Sequence, residues 1–261
     1  MIKTITILPG INRSGRPEPI QNIELNMGNV ISVAGPTGSG KTTLINDIEL
    51  LADGSTPTQR KILINGAPPP AGYRNNPSLH PIALITQHTT FLSDLPVREF
   101  LIMHARIRNK NNFAISQLIQ RAFDFANQLT GEPIIPDSRM TELSGGQTRA
   151  LLIADAAVIC DTPIVLLDEV ENAGIHRTRA LELLRQYEKI FIFVTHDPRI
   201  ALLSDFRVIM KDGGITQVLH TDSTEREIAK KVTKLDDLLG CLREKIRNGE
   251  RLTAAAMEGI L

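Results

Sequence analysis

Short apolar runs recur along the chain and predict β-strands. Residues 2–8 alternate apolar and polar side chains, as a half-buried strand does. Later runs are almost continuously apolar, a pattern typical of strands buried on both faces of a sheet. The predicted strands after the first are Val30–Ala34, Lys61–Ile64, Pro81–Thr86, Ile164–Leu167, Ile190–Val194 and Phe206–Met210.

Apolar residues at helical spacing predict helices between these strands. In 42–51 the apolar residues fall on one helical face, and 178–187 forms another predicted helix. The interval from Pro96 to about Leu129 is also predicted to be helical, with Ser116 as a candidate N-cap. Because strands and helices alternate in the second half of the chain, the pattern predicts an α/β fold with a mostly parallel sheet.

Turn signals separate these elements. The segments 10–19 and 68–81 are rich in Pro, Gly or Asn and are predicted loops, and Asp212-Gly213-Gly214 predicts a hairpin. The last long helix, 221–247, is charged and carries an apolar stripe. Such a stripe more often packs against its own domain than against a partner, so a docking role for this helix is the less favoured alternative.

Composition and charge narrow the possible classes of function. The chain has 261 residues, of which 42% are hydrophobic, and 29 basic residues balance 29 acidic ones. We therefore expect no nucleic-acid partner, because the chain has no net positive charge with which to attract phosphate backbones. Cys160 and Cys241 lie far apart in the sequence and predict unreactive thiols in a reducing compartment. Without a secretory leader or an apolar run of membrane-spanning length, a cytoplasmic location is expected, with membrane contact only through a partner.

The segment Gly35-Pro-Thr-Gly-Ser-Gly-Lys-Thr42 matches the phosphate-loop pattern GxxxxGK[ST]. It follows a predicted strand and opens a predicted helix, which is the context that makes the pattern specific. Its glycines let backbone N–H groups close around phosphates, Lys41 reaches the β and γ phosphates, and Thr42 is placed to bind Mg²⁺. The predicted nucleotide-binding residues are Gly35, Pro36, Thr37, Gly38, Ser39, Gly40, Lys41, Thr42 and Thr43.

Two acids end the apolar strand 164–167. Asp168 and Glu169 stand where a buried parallel strand presents side chains beside a phosphate site. We expect Asp168 to hold Mg²⁺ through water and Glu169 to polarise the water that attacks ATP. An apolar strand followed by Asp-Glu is common by itself, and only its pairing with the phosphate loop makes it informative.

A third motif narrows the class further. Leu143-Ser-Gly-Gly-Gln147 precedes an apolar helix, so Ser144 and two glycine amides would stand at a helix N-terminus suited to an anion. With these motifs the chain resembles the ATP-binding-cassette (ABC) ATPases, whose signature is LSGGQ. The resemblance implies an ABC ATPase domain over 1–220: a P-loop core, a flanking antiparallel sheet and a signature-containing helical subdomain near 88–160. Residues 221–261 then form a C-terminal helical extension.

The resemblance assigns two further residues and an assembly. Gln87, at the end of a predicted strand, resembles the Q-loop glutamine that senses Mg²⁺ and water, and His196 resembles the switch histidine that contacts the γ-phosphate. In this family the phosphate loop of one subunit pairs with the signature of another. Ser144, Gly145, Gly146 and Gln147 would therefore act in trans, in a homodimer or heterodimer.

Two departures from the family pattern stand out. The aromatic residue that usually stacks on adenine is missing, since the first aromatic residue is Tyr73; Arg13 or Arg16 is the candidate replacement. After Glu169 the segment 170–175 reads VENAGI, with Ile175 where an aspartate is usual. Communication between the two nucleotide sites of the dimer would then run through Glu171 or Asn172 instead.

The resemblance implies Mg²⁺-dependent hydrolysis of ATP that drives transport through a separate membrane permease. The segment 91–101 lies where such subunits usually meet their permease. The alternative is a non-transport ABC ATPase that remodels or activates a protein or metalloenzyme complex, which the unusual 170–175 segment favours slightly. A nucleic-acid-maintenance ATPase is disfavoured by the neutral charge, and a catalytically inactive module by the intact Lys41, Asp168, Glu169 and His196.

Overall fold

In the computed structural model, residues 1–108, 115–169 and 177–251 are described. The strands are β1 (Thr4–Leu8), β2 (Ile23–Asn26), β3 (Val30–Ala34), β4 (Lys61–Ile64), β5 (Ile82–Ile85), β6 (Ile164–Asp168), β7 (Ile190–Val194), β8 (Phe206–Lys211) and β9 (Gly214–His220). The α-helices are α1 (Lys41–Glu49), α2 (Ala71–Asn75), α3 (Val97–Arg108), α4 (Ile115–Leu129), α5 (Gly145–Ala154), α6 (Arg177–Leu184), α7 (Pro198–Leu203) and α8 (Ser223–Arg247). A 3₁₀ turn covers Met140–Glu142, and a π turn, Asp155–Ile159, follows α5 directly.

The strands form two sheets. The larger has the order β5-β6-β7-β3-β8-β9, and all its neighbouring pairs are parallel except the β8–β9 hairpin. The smaller is an antiparallel sheet of order β2-β1-β4. This architecture confirms the predicted α/β fold with a mostly parallel sheet and a flanking antiparallel sheet.

Alternation along the central strands builds two separate apolar layers. Val165 and Leu167 of β6 pack with the buried side chains of α3, α4 and α5. Leu166, between them, packs on the opposite face with α1 and the small sheet. All three side chains are fully buried, and burying one such aliphatic side chain stabilises a fold by about 1.5–3 kcal/mol. In the described part of the chain, both faces of the sheet are therefore covered by apolar side chains.

The segment between β5 and β6 is helical, as expected for the predicted subdomain. The predicted helix 96–129 is two helices in the structure, α3 and α4, and residues 109–114 between them lie outside the described part of the chain. Ser116 was expected to cap the second helix, but that helix spans Ile115–Leu129 and Ser116 lies inside its first turn. The apolar spacing located the helix, whereas the exact position of its N-cap does not follow from spacing.

Several local elements differ from the sequence-based expectations. Strand β2 was not predicted, although its Ile23 and Leu25 are buried and alternate with exposed residues. The loop predicted over 68–81 contains the short helix α2, which buries none of its residues. Such short elements carry too few periodic positions to stand out from loop sequence.

The C-terminal helix α8 packs against α7 and the β8 end of the large sheet. Ala229 is completely buried, Arg207 forms an ion pair with Glu225 at 2.5 Å, and Arg199 pairs with Asp236. The face of α8 that packs against the domain covers only part of the predicted apolar stripe. The exposed members are Ile228, Leu235, Leu239 and Ile246. None of the helices in the described part of the chain combines the length and apolar character that crossing a bilayer requires.

Candidate functional site

The phosphate loop connects β3 to α1 and is shaped by close backbone contacts. Gly40 caps α1 with a φ of 98°, a conformation that favours glycine. A Cβ atom at Gly35 would lie 2.4 Å from the carbonyl oxygen of Met210, so only glycine fits there. Lys41 Nζ donates to the carbonyl oxygens of Gly35 and Pro36 at 2.8 and 3.1 Å, which holds the ammonium group over the loop.

The same loop fits a phosphate group. The first N–H groups of a helix lack partners within the helix and attract anions, and α1 opens directly from the loop. Ser39 Oγ is buried and has no hydrogen-bond partner among the described residues. The Thr42 and Thr43 side chains stand in the exposed first turn of α1. The loop therefore offers amide, hydroxyl and ammonium donors from one side.

The two predicted acids lie at the carboxyl end of β6, beside the loop. Asp168 and Val33, at the end of β3, are both register partners of Val194 on β7, so Asp168 stands two strands from the start of the loop. That separation is about 10 Å at the usual strand spacing. This is the open carboxyl edge where parallel α/β sheets bind ligands.

Glu169 has a backbone conformation that is unusual for a residue other than glycine. Its φ is 50°, and its N–H donates to Val194 O at 3.1 Å, which fixes the turn at the end of β6. Its Oε1 lies 3.6 Å from His196 Nε2, and both side chains are partly exposed, at 37% and 51%. Backbone strain of this kind concentrates at functional sites. The geometry thus brings together the predicted catalytic glutamate and switch histidine.

Gln87 lies in a tight turn beyond the end of β5 rather than at the strand end. Thr86 and Thr89 close this turn, with Thr86 N–H donating to Thr89 Oγ1 at 2.9 Å, and the Gln87 side chain is exposed. Arg149 Nη2 donates to the Gln87 carbonyl oxygen at 2.7 Å, and Arg149 Nη1 donates to the Gly145 carbonyl oxygen at 3.1 Å. Arg149 therefore joins the Gln87 turn to the signature helix. The sequence-based interpretation missed this residue, whose only signal is a basic side chain two positions after the signature.

The signature residues begin α5, as the sequence predicts. Ser144 is the N-cap: its Oγ accepts from Gln147 N–H at 3.3 Å, and Gln147 Oε1 accepts from Ser144 N–H at 2.9 Å. This reciprocal pair is a capping box. Gln147 Nε2 also donates to the Pro133 carbonyl oxygen at 3.1 Å. Ser144 and Gly145 are exposed, so the helix N-terminus faces outward and Gly146 lies half-buried behind it.

Of the two arginines considered for the adenine platform, the structure brings Arg13 to the phosphate loop. Arg13 N–H donates to Asp212 O at 3.0 Å, and a Cβ at Gly213 would be 2.5 Å from Arg13 Cγ. Gly213 in turn donates its N–H to Ser39 O at 2.9 Å. Arg16 is exposed on the same loop. The segment 170–175, whose composition also departs from the family pattern, lies outside the described residues.

A buried ion cluster lies behind the phosphate loop, and sequence reasoning did not anticipate it. Arg60 is fully buried, and its guanidinium contacts Glu18 Oε1 at 2.5 Å, Asp47 Oδ2 at 2.8 Å and the Gly213 carbonyl oxygen at 3.1 Å. Glu18 also accepts the N–H groups of Gly10 and Ile215 at 2.8 and 2.6 Å. The cluster ties α1, the Arg13 loop and the β8–β9 turn together around the nucleotide site.

The remaining described histidines stand apart from the loop and its acids. His80 Nδ1 lies 2.8 Å from the Tyr73 carbonyl oxygen, and the His220 ring contacts Phe206 at a tilt of 45°, with ring centroids 5.2 Å apart. His88 is exposed in the Gln87 turn. His104 lies in a separate polar cluster, and the position of His176 is outside the described residues.

Known proteins are similar to this chain in sequence and in fold. A family model described as ABC transporter matches residues 20–172. An uncharacterised ABC transporter ATP-binding protein of Methanocaldococcus jannaschii is 48% identical over 97% of this chain and 95% of its own length. The spermidine/putrescine import ATP-binding protein PotA of Legionella pneumophila is 32% identical over 78% of this chain, which spans only 56% of PotA.

A solved structure supports the fold assignment. The ATP-binding cassette MJ0796, as a dimer in a post-hydrolysis state bound to ADP and Pi, superposes with a TM-score of 0.63 over 84% of this chain and 99% of that chain. Its sequence identity to this chain is 21%. At that identity the likeness is evidence for a shared fold.

Proposed function

This chain belongs to the ABC transporter family of ATPases, and we propose that two copies of it close around MgATP and drive transport through a separate membrane permease. Binding and hydrolysis of ATP are its established activity by family. The roles of individual residues, the homodimer and the permease are our proposals. The observation that carries them is the meeting of the phosphate loop, Asp168, Glu169 and His196 at one edge of the sheet.

The proposed division of labour follows from the geometry of the loop and the acids. Lys41 turns from its present carbonyl partners to the β and γ phosphates, while the loop amides and Ser39 Oγ bind the remaining phosphate oxygens. Glu169 orients and polarises the attacking water, and His196, 3.6 Å from it, contacts the γ-phosphate. Mg²⁺, held by Thr42, Gln87 and, through water, Asp168, would neutralise charge on the phosphates. Arg13 is our candidate for stacking on adenine.

The signature turn completes the site from the second subunit. Because Ser144 and Gly145 are exposed at the N-terminus of α5, they can present a hydroxyl, amides and the positive end of a helix to a phosphate held by another chain. ATP then joins two subunits through charge-assisted hydrogen bonds, and hydrolysis removes them. Closing and opening of the dimer is the proposed mechanical output.

Transport is favoured over the remodelling alternative by the relatives, which are named as transporter ATP-binding proteins. The segment 91–101 supports a permease contact, because Leu92 is completely exposed close in sequence to the Gln87 turn, whereas Phe91 packs edge-on against Phe100 at 5.0 Å. An exposed leucine beside a half-buried aromatic side chain, itself held by packing against the core, is a suitable contact for a partner. We place the chain on the cytoplasmic side of the membrane, bound there through the permease.

ATP-dependent dimerisation tests the proposed site directly. Glu169→Gln should lower hydrolysis by about 100-fold or more, because the water loses its orienting carboxylate. The variant should still bind ATP and accumulate as a dimer in multi-angle light scattering. Glu188→Gln is the matched control, since Glu188 is exposed and precedes β7, at the opposite end of that strand from His196. A monomeric Glu169→Gln protein in saturating ATP would contradict the sandwich dimer.

Capture of the closed dimer tests the permease. Tagged Glu169→Gln protein is expressed in the source cells, and membranes are solubilised in mild detergent with ATP. We expect a multi-spanning membrane protein to be recovered, and to be lost when Leu92→Asp is added. Lys41→Ala is the control. It should not bind ATP tightly, so it should not form the closed dimer or recover the membrane protein. Recovery of soluble proteins alone would overturn the transport proposal and leave the ATPase assignment intact.

A further inference from the structure

A second cluster of chemically reactive side chains lies on the helical side of the molecule. His104 of α3 meets Asp155 and Cys160, which flank the π turn, and one ligand atom from each of the three lies within 4.8 Å of the others. They line a groove of about 660 Å³ whose lining also includes Leu50 and His80. The proposed ATP mechanism uses none of the three side chains.

The π turn brings Asp155 and Cys160 together. Cys160 N–H donates to the Asp155 carbonyl oxygen at 2.8 Å, five residues back along the chain. In an α-helix, residues five apart point about 140° away from each other, since each residue turns the helix by about 100°. The wider turn puts both side chains on one face, with Cys160 Sγ 3.5 Å from Asp155 Oδ2. Such π turns at the end of α-helices often occur at functional sites.

The hydrogen bonds of His104 leave one ring nitrogen facing the thiol. Its Nδ1 is 2.7 Å from Asp155 Oδ1, and its Nε2 is 4.0 Å from Cys160 Sγ. Arg108 Nε donates to Nε2 at 3.5 Å, and a guanidinium can only donate, so Nε2 carries the lone pair and Nδ1 the proton. A carboxylate that holds Nδ1–H while Nε2 is unprotonated is the arrangement proteins use to orient a metal-binding histidine.

We propose that this cluster binds Zn²⁺, with His104 Nε2 and Cys160 Sγ as ligands and Asp155 orienting the histidine. Tetrahedral zinc at its usual bond lengths to nitrogen and sulfur holds these two atoms about 3.6 Å apart. The present 4.0 Å separation needs only a small side-chain rotation. The open side of the cluster faces the groove, where water or a partner's side chain would complete the coordination. The site is independent of the proposed transport function.

A Cys–His–Asp nucleophile is the competing interpretation of the same three side chains. Burial, and after it the charge of Asp155, raises the pKa of the Cys160 thiol to about 12. A thiol kept protonated at neutral pH is a poor nucleophile, so a covalent mechanism is disfavoured, and Zn²⁺ must displace the thiol proton when it binds. Arg108, whose Nε donates to His104 Nε2 and whose charge acts on Cys160 together with that of Lys189, is an unfavourable neighbour of a cation. It must swing away when metal binds, and its removal should therefore strengthen binding.

Co²⁺ is the probe that tests the site, because a cobalt–thiolate bond gives a charge-transfer absorption in the near ultraviolet that nucleotide-site metal does not. The full-length chain is freed of metal with a chelator and titrated with Co²⁺. We expect one equivalent to give the thiolate band, and Zn²⁺ to displace it. Cys160→Ser should abolish the band, and the matched control Cys241→Ser should keep it, since Cys241 is exposed on α8.

Three further variants examine the other members of the cluster. His104→Gln and Asp155→Asn should each weaken Zn²⁺ binding by about 10–100-fold or more, as loss of a ligand or its orienting carboxylate does. Arg108→Gln should bind at least as tightly as the unmodified chain. If Cys160→Ser does not fold, His104→Gln provides the same test, and retained ATP binding serves as the check on folding.

Several results would overturn the zinc site. One is the absence of a thiolate band in unmodified protein that still binds ATP, and another is a band that persists in Cys160→Ser. Loss of the band in Cys241→Ser would assign the metal to the surface of α8. Tenfold weaker binding in Arg108→Gln would contradict the assignment of His104 Nε2 as a ligand.

Discussion

One arginine supports the phosphate loop and another supports the segment before the signature, but the two arginines lie in opposite environments. Arg60, behind the phosphate loop, is completely buried and satisfied by two carboxylates and a carbonyl oxygen. Arg139, just before the signature, pairs with Asp94 at the surface, where both side chains are more than half exposed. The phosphate loop is fixed to the core by charges withdrawn from water. The ion pair before the signature is exposed to water, although α5 itself packs into the core.

This difference matches what each of the two regions has to do. In the proposed mechanism the phosphate loop works within its own chain and needs its amides and Lys41 in place before ATP arrives, so rigid support lowers the cost of binding. The signature turn of Ser144 and Gly145 is exposed because its proposed partner is the phosphate on another subunit. A surface that must join and separate in each cycle cannot depend on a buried ion cluster of its own.

Removing the buried arginine should have the largest effect. Arg60→Met preserves most of the side-chain volume but leaves the buried Glu18 and Asp47 without their cation. The free energy of unfolding should fall by about 3–5 kcal/mol, as it does when one partner of a buried pair is removed. Urea denaturation of the metal-free and nucleotide-free chain measures this change.

Arg139→Met is the matched variant at the surface. Its exposed pair with Asp94 should contribute at most about 1 kcal/mol to the free energy of unfolding. Equal losses of unfolding free energy in Arg60→Met and Arg139→Met would contradict the proposed difference between the buried and the exposed arginine.

A second prediction tests the close packing of the phosphate loop. In Gly40→Ala the new Cβ would lie 2.9 Å from Gly213 Cα while φ stays at 98°. We expect a loss of stability of about 1–3 kcal/mol, as for other strained backbone positions, and weaker ATP binding. Fluorescent ATP titration and thermal unfolding measure the two effects.

Gly28→Ala separates strain from contact. Gly28 has a similar φ of 89°, but no atom lies within 4 Å of its added Cβ. It should lose stability through strain alone and keep its ATP affinity. Weaker ATP binding in Gly28→Ala as well would mean that the contact with Gly213 is not what shapes the loop.

Much of this molecule could be predicted from its sequence because the relevant signals are local. The phosphate loop, the acids after β6 and the signature each lie within a few consecutive residues, and the apolar pattern located their strands and helices. The Arg60 cluster has no such local signal. Glu18 lies in a loop, Asp47 in α1 and Arg60 directly before β4, and only the tertiary fold brings the three side chains together. The π turn was also missed, because widening one helical turn leaves no mark on the apolar spacing of α5.

A third prediction concerns the cap of the signature helix. Ser144→Ala removes the hydroxyl that accepts from Gln147 N–H, which should cost about 1 kcal/mol of stability. ATP-dependent dimerisation should weaken in addition, because the same hydroxyl is proposed to contact phosphate in the second subunit. Ser116→Ala, at an exposed position inside α4, is the control and should change neither quantity. An unchanged dimer in Ser144→Ala would remove the serine from the proposed interface.

The smallest effect on stability and the most specific effect on function are expected at Arg149. Arg149→Met removes the hydrogen bond that joins the Gln87 turn to α5 and a second one within α5, both at the surface, so stability should fall by at most about 1 kcal/mol. ATP affinity of the monomer should not change, because Lys41 and the phosphate loop are untouched. Hydrolysis should fall, because the Gln87 turn and the signature would no longer move as one unit.

Arg149→Lys sharpens this test. A single ammonium group cannot reproduce the fork that reaches the Gln87 and Gly145 carbonyl oxygens, so lysine should restore hydrolysis only in part. Arg121→Met, which removes an exposed arginine from α4, is the control for loss of surface charge. If hydrolysis in Arg149→Met falls no further than in Arg121→Met, the bridge has no role in coupling. A loss of hydrolysis confined to the Arg149 variants would instead show that hydrolysis depends on the surface hydrogen bond between Arg149 and the Gln87 turn.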